Sequence, residues 1–578
     1  KFDLETAAEY LLYVEPWSLE LNNFIKEYCA AKKLKLKQLA GYGPVPDGIL
    51  YPYAARDSYY TLKLFHAHVP NLYSDRYGNN CWSSYWRSMY LVPVFLEMFR
   101  NGIKIDTDRF YELHESYSKA LEDLHEKLKA KINWPDFNYR SFPQCVEFLF
   151  GEKYTYKPRK RPPGARSLGA TPIYTTASSS ARPWDDTCLQ EKLSPATDLE
   201  VCQTLATQYP EALSLYHLRV LDQVLKTTLK LAKEDEDDEN SEITGGLLKY
   251  MCPDGKIHPR YFPLTETRRC SSREPNLQNL SNSREEEYKV ILGNSYKYCI
   301  RSVLTVDSPG DIFVEVDYSA AELLMMGIAA NDTVLIEDYY RNSLPDDHPD
   351  KLDLHSNIAV LGFGLNCRPT KAALKAIGAE RLRYYSKRVI FGLNYGSSVE
   401  SCYLQLKLQN PEITLDDVKK LVDTIYLRYT RVASFREEVK ARVTNPGWLA
   451  NCFGSYRRFF RSRSREIIKA NEREALNFPC QSGVADAMTL AANNLYSFPE
   501  RRRFGYRLIL HNHDALLLTI PEQNLSEFVN EVVPYCFCEK VKIRPCDLDG
   551  KPIKNAKEYS FSYEVKTGKR WGELEDLR

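Results

Sequence analysis

What the sequence lacks narrows it first. It has no charge excess: 78 Lys plus Arg stand against 77 Asp plus Glu, a formal charge of +1. It has no run of about 18 apolar residues, which excludes a membrane-spanning helix. Its opening KFDLETAAEY is acidic and carries no apolar leader segment, so a non-secreted chain is expected. Its fifteen cysteines include no CxxC pair, the closest spacing being Cys536-Phe-Cys538. An intracellular, thiol-bearing chain without a zinc module follows. There is no internal repeat. What is present, 43% hydrophobic and 27% charged residues over 578 positions, excludes disordered, collagenous and coiled-coil classes. At roughly 100–200 residues per domain, the length suits three or four domains.

Balanced charge argues against a nucleic-acid partner only if the charges are evenly spread, and they are not. Residues 157–166 (KPRKRPPGAR) are basic and proline-rich, with a Ser/Thr-rich stretch to about 182, and read as an exposed loop. Residues 234–239 (EDEDDE) read as a solvated acidic turn. Arg457, Arg458, Arg461, Arg463 and Arg465 form a basic cluster, and residues 501–503 another. Any one cluster is more often plain surface, but several together favour a polyanion. Helical spacing marks residues 91–100, 108–132 (Leu113, Leu121, Leu124, Leu128) and 213–231, the last interleaved with Arg219, Lys226 and Lys230. Strand-like runs are 311–316 (DIFVEV), 507–510 (RLIL) and 516–520 (LLLTI). The expected class is α+β with a mainly antiparallel sheet.

Three constellations carry chemistry. In the first, the apolar run ending at Val316 delivers Asp317 and Tyr318, with Glu322 following in a helix-forming stretch. An Asp at such a place is by itself more often a helix N-cap. In the second, Arg383, Lys387, Phe391 and Tyr395 recur every four residues. On a helix they drift by only about 40° per step and share a broad face, two cations then two aromatics. That order suits a triphosphate at one end and a base at the other, although a core helix with snorkelling cations fits the same spacing. In the third, residues 510–515 (LHNHDA) lie between two strand-length apolar runs, as a hairpin tip would. Two carboxylates from separate strands, with a cationic helix between them in sequence, suit a two-metal phosphoryl-transfer site.

Together the three constellations resemble motifs A, B and C of family A (polymerase I-like) DNA polymerases, in the family's order. The segment from Thr265 through Arg269, Asn276, Gln278 and Asn279 (TETRRCSSREPNLQN) is similar to the family's TGRxSSxxPNLQN. Asp353-Leu-His355 resembles its D-I-H, and residues 472–481 (EREALNFPCQ) its ERxxxNxPxQ helix. Residues 91–102 resemble the opening of the polymerase domain, and Trp571 sits in a family-like tail. The resemblance covers nearly the whole chain.

It implies a DNA-directed DNA polymerase in which Asp317 and Asp514, with the Tyr318 carbonyl, hold two Mg²⁺ ions, Mn²⁺ being a substitute. Arg383, Lys387 and His355 would grip the dNTP phosphates, Lys387 doubling as proton donor to pyrophosphate. Phe391 would pack on the sugar, Tyr395 stack at the insertion site, and Glu322 exclude a ribose 2′-OH. Arg269, Asn276, Gln278, Arg473, Asn477, Gln481 and His513 would contact primer-template DNA, and Lys226 the duplex backbone. The implied partition is a right hand: thumb and polymerase N-terminal part at 86–250, palm at 251–340 and 482–578, helical fingers at 341–481. Residues 1–85 would be the C-terminal part of an RNase H-like 3′–5′ exonuclease domain. There Tyr53 and Asp57 match the third exonuclease motif, while the first motif is absent and the second unconvincing. No proofreading is therefore expected from this chain alone. DNA replication, alone or with a processivity factor or replisome proteins, is the implied setting, in a bacterial or phage-infected cytoplasm or an organelle, with no membrane.

Departures from the family pattern carry their own expectations. Ala320 and Ala321 replace larger residues of motif A and predict a roomier nucleotide pocket, hence altered fidelity or tolerance of a modified base. Ala515 stands where the family has a third carboxylate, leaving two aspartates. A single-subunit RNA polymerase shares the metal aspartates and the lysine, but Glu322 and Phe391 argue against it. A non-catalytic DNA-binding module is disfavoured by the intact Asp317, Arg383, Lys387 and Asp514.

Overall fold

The computed structural model describes residues 3–34, 39, 41–74, 81–151, 154, 162–175, 181–183, 195–206, 208–231, 246–263, 265–280, 284–394, 396–410 and 412–577. The acidic run at 234–239, residues 157–161 of the basic loop, and Tyr395 lie outside these residues. The chain divides into two compact units, residues 1–89 with 454–456, and residues 90–453 with 457–578. No helix among the described residues is long and apolar enough to cross a membrane. Every described cysteine is a free thiol.

The first unit contains helices Leu4–Leu12, Leu19–Ala31, Asp47–Tyr73 and Trp82–Met89, the first and third of which pack around Ala8, Trp17 and Leu64. Asp3 caps the first of them, accepting from the Thr6 amide at 2.7 Å.

The second unit is built on a five-stranded antiparallel sheet. Its strands are β1 (Asp311–Tyr318), β2 (Arg507–Asn512), β3 (Ala515–Pro521), β4 (Tyr563–Gly568) and β5 (Glu575–Asp576), in the order β2-β3-β1-β4-β5. The runs read as strands are therefore strands, each longer than its apolar core because ladder pairing carries it into polar residues. Alternation gives the central strands two apolar faces. Val314, Val316, Leu516, Leu518 and Val565 enter one core, and Phe313, Leu517 and Leu510 the other. A bulge between Leu508 and Leu510 switches β2 from the first core to the second.

The first core is completed by helices: α1 (Ala321–Ala330), α2 (Leu354–Phe363), α3 (Glu380–Asn394) and the 33-residue α4 (Arg465–Ser497). On α4, Gly483 allows α1 to approach closely, since a Cβ there would sit 2.6 Å from Met325 Sδ. The second core includes Thr107–Ile132 and Pro210–Thr227, the helices foreseen from their leucine spacing. The latter starts earlier than its apolar periodicity suggests, because Pro210 is preorganised for a first helical turn.

One buried charge cluster ties helix Thr333–Asn342 to helix Leu415–Arg428. Asp338, 2% exposed, accepts from Arg428 Nε and Nη2 at 2.7 and 2.8 Å and from the Tyr429 hydroxyl at 2.9 Å. Removing the carboxylate strands a guanidinium and a hydroxyl in the core. Asp338→Ala is expected to cost about 3 kcal/mol, the lower end for a broken buried pair because Arg428 reaches solvent. Urea unfolding checks this, and a cost below ~1 kcal/mol would contradict it.

Candidate active site

The site starts from strand register. Along β1, Glu315 and Asp317 follow Phe313 on one face, so an apolar face turns acidic at its end. Asp317 is opposite Ala515 of β3 on one side and Glu564 of β4 on the other. Ala515 directly follows the two-residue turn His513-Asp514, where His513 takes a left-handed φ of 57°. The Tyr318 amide donates to the Asp514 carbonyl at 3.2 Å, joining the hairpin tip to the end of β1. Asp317 is not a helix cap, for Ala320 occupies the cap position of α1 and makes no side-chain cap bond.

Burial, and then the Asp514 charge, push the Asp317 carboxyl up to about 8, with Glu315 and Glu564 adding and Lys566 opposing. Its Oδ1 is buried without a hydrogen-bond partner. Such a carboxylate pair calls for positive charge. Among the described residues no group of three or more His, Cys, Asp or Glu side chains is arranged to hold a metal. Tyr318 follows Asp317 at the end of β1. That backbone is fixed from below, since the fully buried Tyr318 ring packs on Phe537 and Phe561 and its hydroxyl donates to the Phe537 carbonyl at 3.0 Å.

The segment 261–278 braces the hairpin. Gln278 is turned inward: its Oε1 accepts from the Ser272 amide at 3.0 Å and its Nε2 donates to the His511 carbonyl at 2.9 Å. This corrects its placement among DNA contacts, because a buried amide spent on backbone groups has little left for a ligand. His511 is buried with Nδ1 3.2 Å from Cys270 Sγ, and burial lowers its imidazole to about 4. Asn276 is exposed beside this brace. Arg269 pairs with Glu322 at 2.9 Å, on the first turn of α1. His513 is held below its ordinary value by burial and by Arg269.

A second cluster lies on α2 and α3. Asp353 caps α2, accepting from the Ser356 amide at 2.8 Å, and takes a bidentate bond from Arg383 at 2.7 and 3.0 Å. Burial would raise this carboxyl, yet the bonds from Arg383 and Ser356 bring it down to about 2. Next to it, burial lowers His355 to about 4, with Arg383 and Lys387 adding and Asp353 opposing. The imidazole is neutral at pH 7 and its Nδ1 is buried without a partner. Its ring centroid is 6.0 Å from that of Phe391, while Lys387 is exposed. Leu323 of α1, Leu354 of α2 and Ile390 and Leu393 of α3 line one small apolar cavity, which links this cluster to the helix after Asp317.

The remaining candidates are placed as follows. On α4, Arg473 is exposed, Asn477 half-buried and Gln481 buried. Lys226 is half-exposed but paired with Asp222 at 2.5 Å. In the first unit, Asp57 accepts from the Trp17 indole at 2.8 Å, and the Tyr53 hydroxyl is raised by burial and by Asp57. Sequence reading missed Glu315 and Glu564. Strand alternation from Asp317 gives Glu315, but Glu564 depends on a pairing with β4 that no local pattern shows.

The family model for DNA polymerase family A matches residues 185–573. The chain belongs to DNA polymerase family A. Family A relatives include the DNA polymerase of Escherichia phage T5, 26% identical over 541 residues, covering 89% of this chain and 56% of that protein. DNA polymerase I of Chloroflexus aurantiacus is 26% identical over 498 residues, 85% of this chain and 44% of that one. The chain thus spans about half the length of these curated relatives. Among solved structures, the POL domain of Pol1 from M. smegmatis in complex with DNA primer-template and dNTP superposes with a TM-score of 0.67 at 21% identity. That likeness covers 99% of this chain and 80% of that one, and supports the family A fold.

Asp317 also yields a stability test. Its folded value lies above that of an unfolded Asp, so the folded state holds the extra proton between about pH 4 and about pH 8, and stability falls as pH rises through that window. With chelator present, the melting temperature of Asp317→Asn relative to wild type is expected to climb from about pH 5 to about pH 8.5. A difference that stays constant would contradict the raised carboxyl.

Proposed function

We propose that this chain is a DNA-directed DNA polymerase that adds dNTPs to a primer 3′-OH on a template strand and releases pyrophosphate. The observation that carries the reading is the pairing of Asp317 with the Asp514 turn, a half-buried carboxylate with a buried, orphaned oxygen beside a second acid. On this reading the palm comprises 251–340 and 482–578, the fingers 341–481 and the polymerase N-terminal part with the thumb 86–250, with 1–85 a partial exonuclease domain.

The residues fit divalent cations. Asp317, Asp514 and the Tyr318 carbonyl would hold two Mg²⁺, or Mn²⁺, which when bound lower the pKa of the primer hydroxyl and neutralise triphosphate charge. Two of the five N–H donors of Arg383 are spent on Asp353, which aims the guanidinium and leaves Nη1 for a phosphate oxygen. His355, neutral at pH 7, serves a phosphate as hydrogen-bond partner without adding charge. Lys387, exposed on α3, protonates the departing pyrophosphate. Phe391 packs on the sugar and Tyr395 on the base. Arg269 holds Glu322 where a 2′-OH would fall, making the wall rigid. Arg473, Asn477, Gln481, His513 and Asn276 meet the primer-template.

Asp514→Asn is expected to reduce primer extension at least about a thousandfold, some 4 kcal/mol of transition-state stabilisation, while leaving primer-template binding intact. Undiminished synthesis would overturn the reading. Glu322→Ala should relax the dNTP-over-rNTP preference by about 10- to 200-fold, the range for losing a small steric contact. Competing dNTP and rNTP incorporation measures it, and an unchanged ratio would remove Glu322 from sugar selection.

A further inference from the structure

The arginine cluster at 457–465 has no part in the site described so far. Phe459 is buried, whereas its neighbour Phe460 is 76% exposed. Around it Arg458, Arg461, Arg463 and Arg465 are all exposed. The loop is nevertheless pinned. The Asn471 side-chain amide donates to the Phe460 carbonyl at 2.8 Å, and the Arg461 guanidinium to the Pro446 carbonyl at 2.8 Å. Phe460 is therefore presented outward by a fixed backbone.

The loop runs into α4, where Arg465, Lys469, Arg473, Asn477 and Gln481 recur at four-residue steps. The first three are exposed and share one broad basic face, and the drift of about 40° per step then turns Asn477 and the buried Gln481 inwards. At 1.5 Å per residue the exposed stripe from Arg465 to Arg473 is about 12 Å long. It joins the loop to the α4 residues that the proposed function assigns to primer-template.

A single exposed Phe is ordinary surface. Among four exposed arginines it is a specific combination, because cations select a polyanion and a bare aromatic face selects something with an open π face. Double-stranded DNA hides its base faces. A protein partner would favour a broader apolar patch. Unpaired template has both the charge and the open bases.

We propose that Phe460 is a stacking platform for unpaired template DNA, reached along the Arg465–Lys469–Arg473 stripe. The inference rests on the polymerase reading only in naming the strand as template. The test is equilibrium binding of fluorescent DNA to the full chain without dNTP or Mg²⁺, comparing blunt duplex with duplex carrying a 5′ overhang of about ten nucleotides, longer than the ~4 stacked nucleotides that the stripe spans. Wild type is expected to prefer the overhang, Phe460→Ala to lose about 5- to 150-fold on the overhang substrate alone, and Phe460→Trp to restore it. Arg463→Ser should weaken overhang binding and lower its salt slope by about 0.7. An overhang preference unchanged in Phe460→Ala, absent in wild type, or lost equally with blunt duplex overturns the platform. Because the readout needs no synthesis, a chain that fails to extend primers can still pass it, so the two readings fail separately.

Discussion

The antiparallel pairing of β1 with β3 is the contact on which the rest of the candidate site depends. It sets Asp317 opposite Ala515 and brings the Tyr318 amide to the Asp514 carbonyl. Side chains alternate along a strand, so a one-residue slip would carry Asp317 into the core filled by Val314 and Val316. Burying an ionised carboxylate there costs far more than the sheet could return. The apolar patterning of both faces therefore fixes the register, and the register fixes the acid pair. Chemistry and stability are in this sense one constraint. The sheet that would be mispatterned by any other alignment is the sheet that places the aspartates.

The same constraint stores a cost. Asp317 is half-buried among acids, and its carboxyl is pushed up to about 8, so ionising it in the folded chain costs stability that a proton relieves at lower pH. The surroundings limit the damage. Glu315 accepts a bond from the Trp571 indole at 2.8 Å, and the Arg301 guanidinium lies 4.1 Å from the centre of that ring. On α2 and α3 the logic is reversed, since Asp353 is held ionised by Arg383 and the neighbouring His355 is kept neutral by burial. One cluster thus waits for positive charge and the other for negative charge. On the proposed reading, a substrate of phosphates with divalent cations would supply both.

Much of the fold was legible in the sequence because local pattern and final structure agree there. The strands 311–318, 507–512 and 515–521 and the helix from Thr107 all follow apolar periodicity, and the mainly antiparallel α+β class follows from them. The site was legible where a local run carries a chemical group to its end, as β1 carries Asp317. What could not be read is what pairing and packing decide. Gln278 belongs to a polar, motif-like segment, yet its amide is consumed by Ser272 and His511. Glu564 stands beside Asp317 only because β4 pairs with β1 across more than two hundred residues of chain. Arg383 carries no mark of its bidentate bond to Asp353, thirty positions earlier. Ion pairs are set by tertiary contact and leave little trace in spacing.

That last point also explains the near-zero net charge. A formal +1 would argue against nucleic acid if every charge faced solvent, but many of the acids do not. Asp338, Asp353 and Asp486 are buried and bonded to Arg428, Arg383 and Arg268, and Asp222 and Glu322 are largely covered by Lys226 and Arg269. Each pair removes one cation and one anion from the far field. The cations at Arg461, Arg463, Arg465, Lys469 and Arg473 are exposed along a short path of loop and helix. A polyanion meets the surface distribution and not the sum. A chain of balanced composition can therefore present a basic track, provided its acids are spent inside on capping helices, holding arginines and lining the candidate metal site.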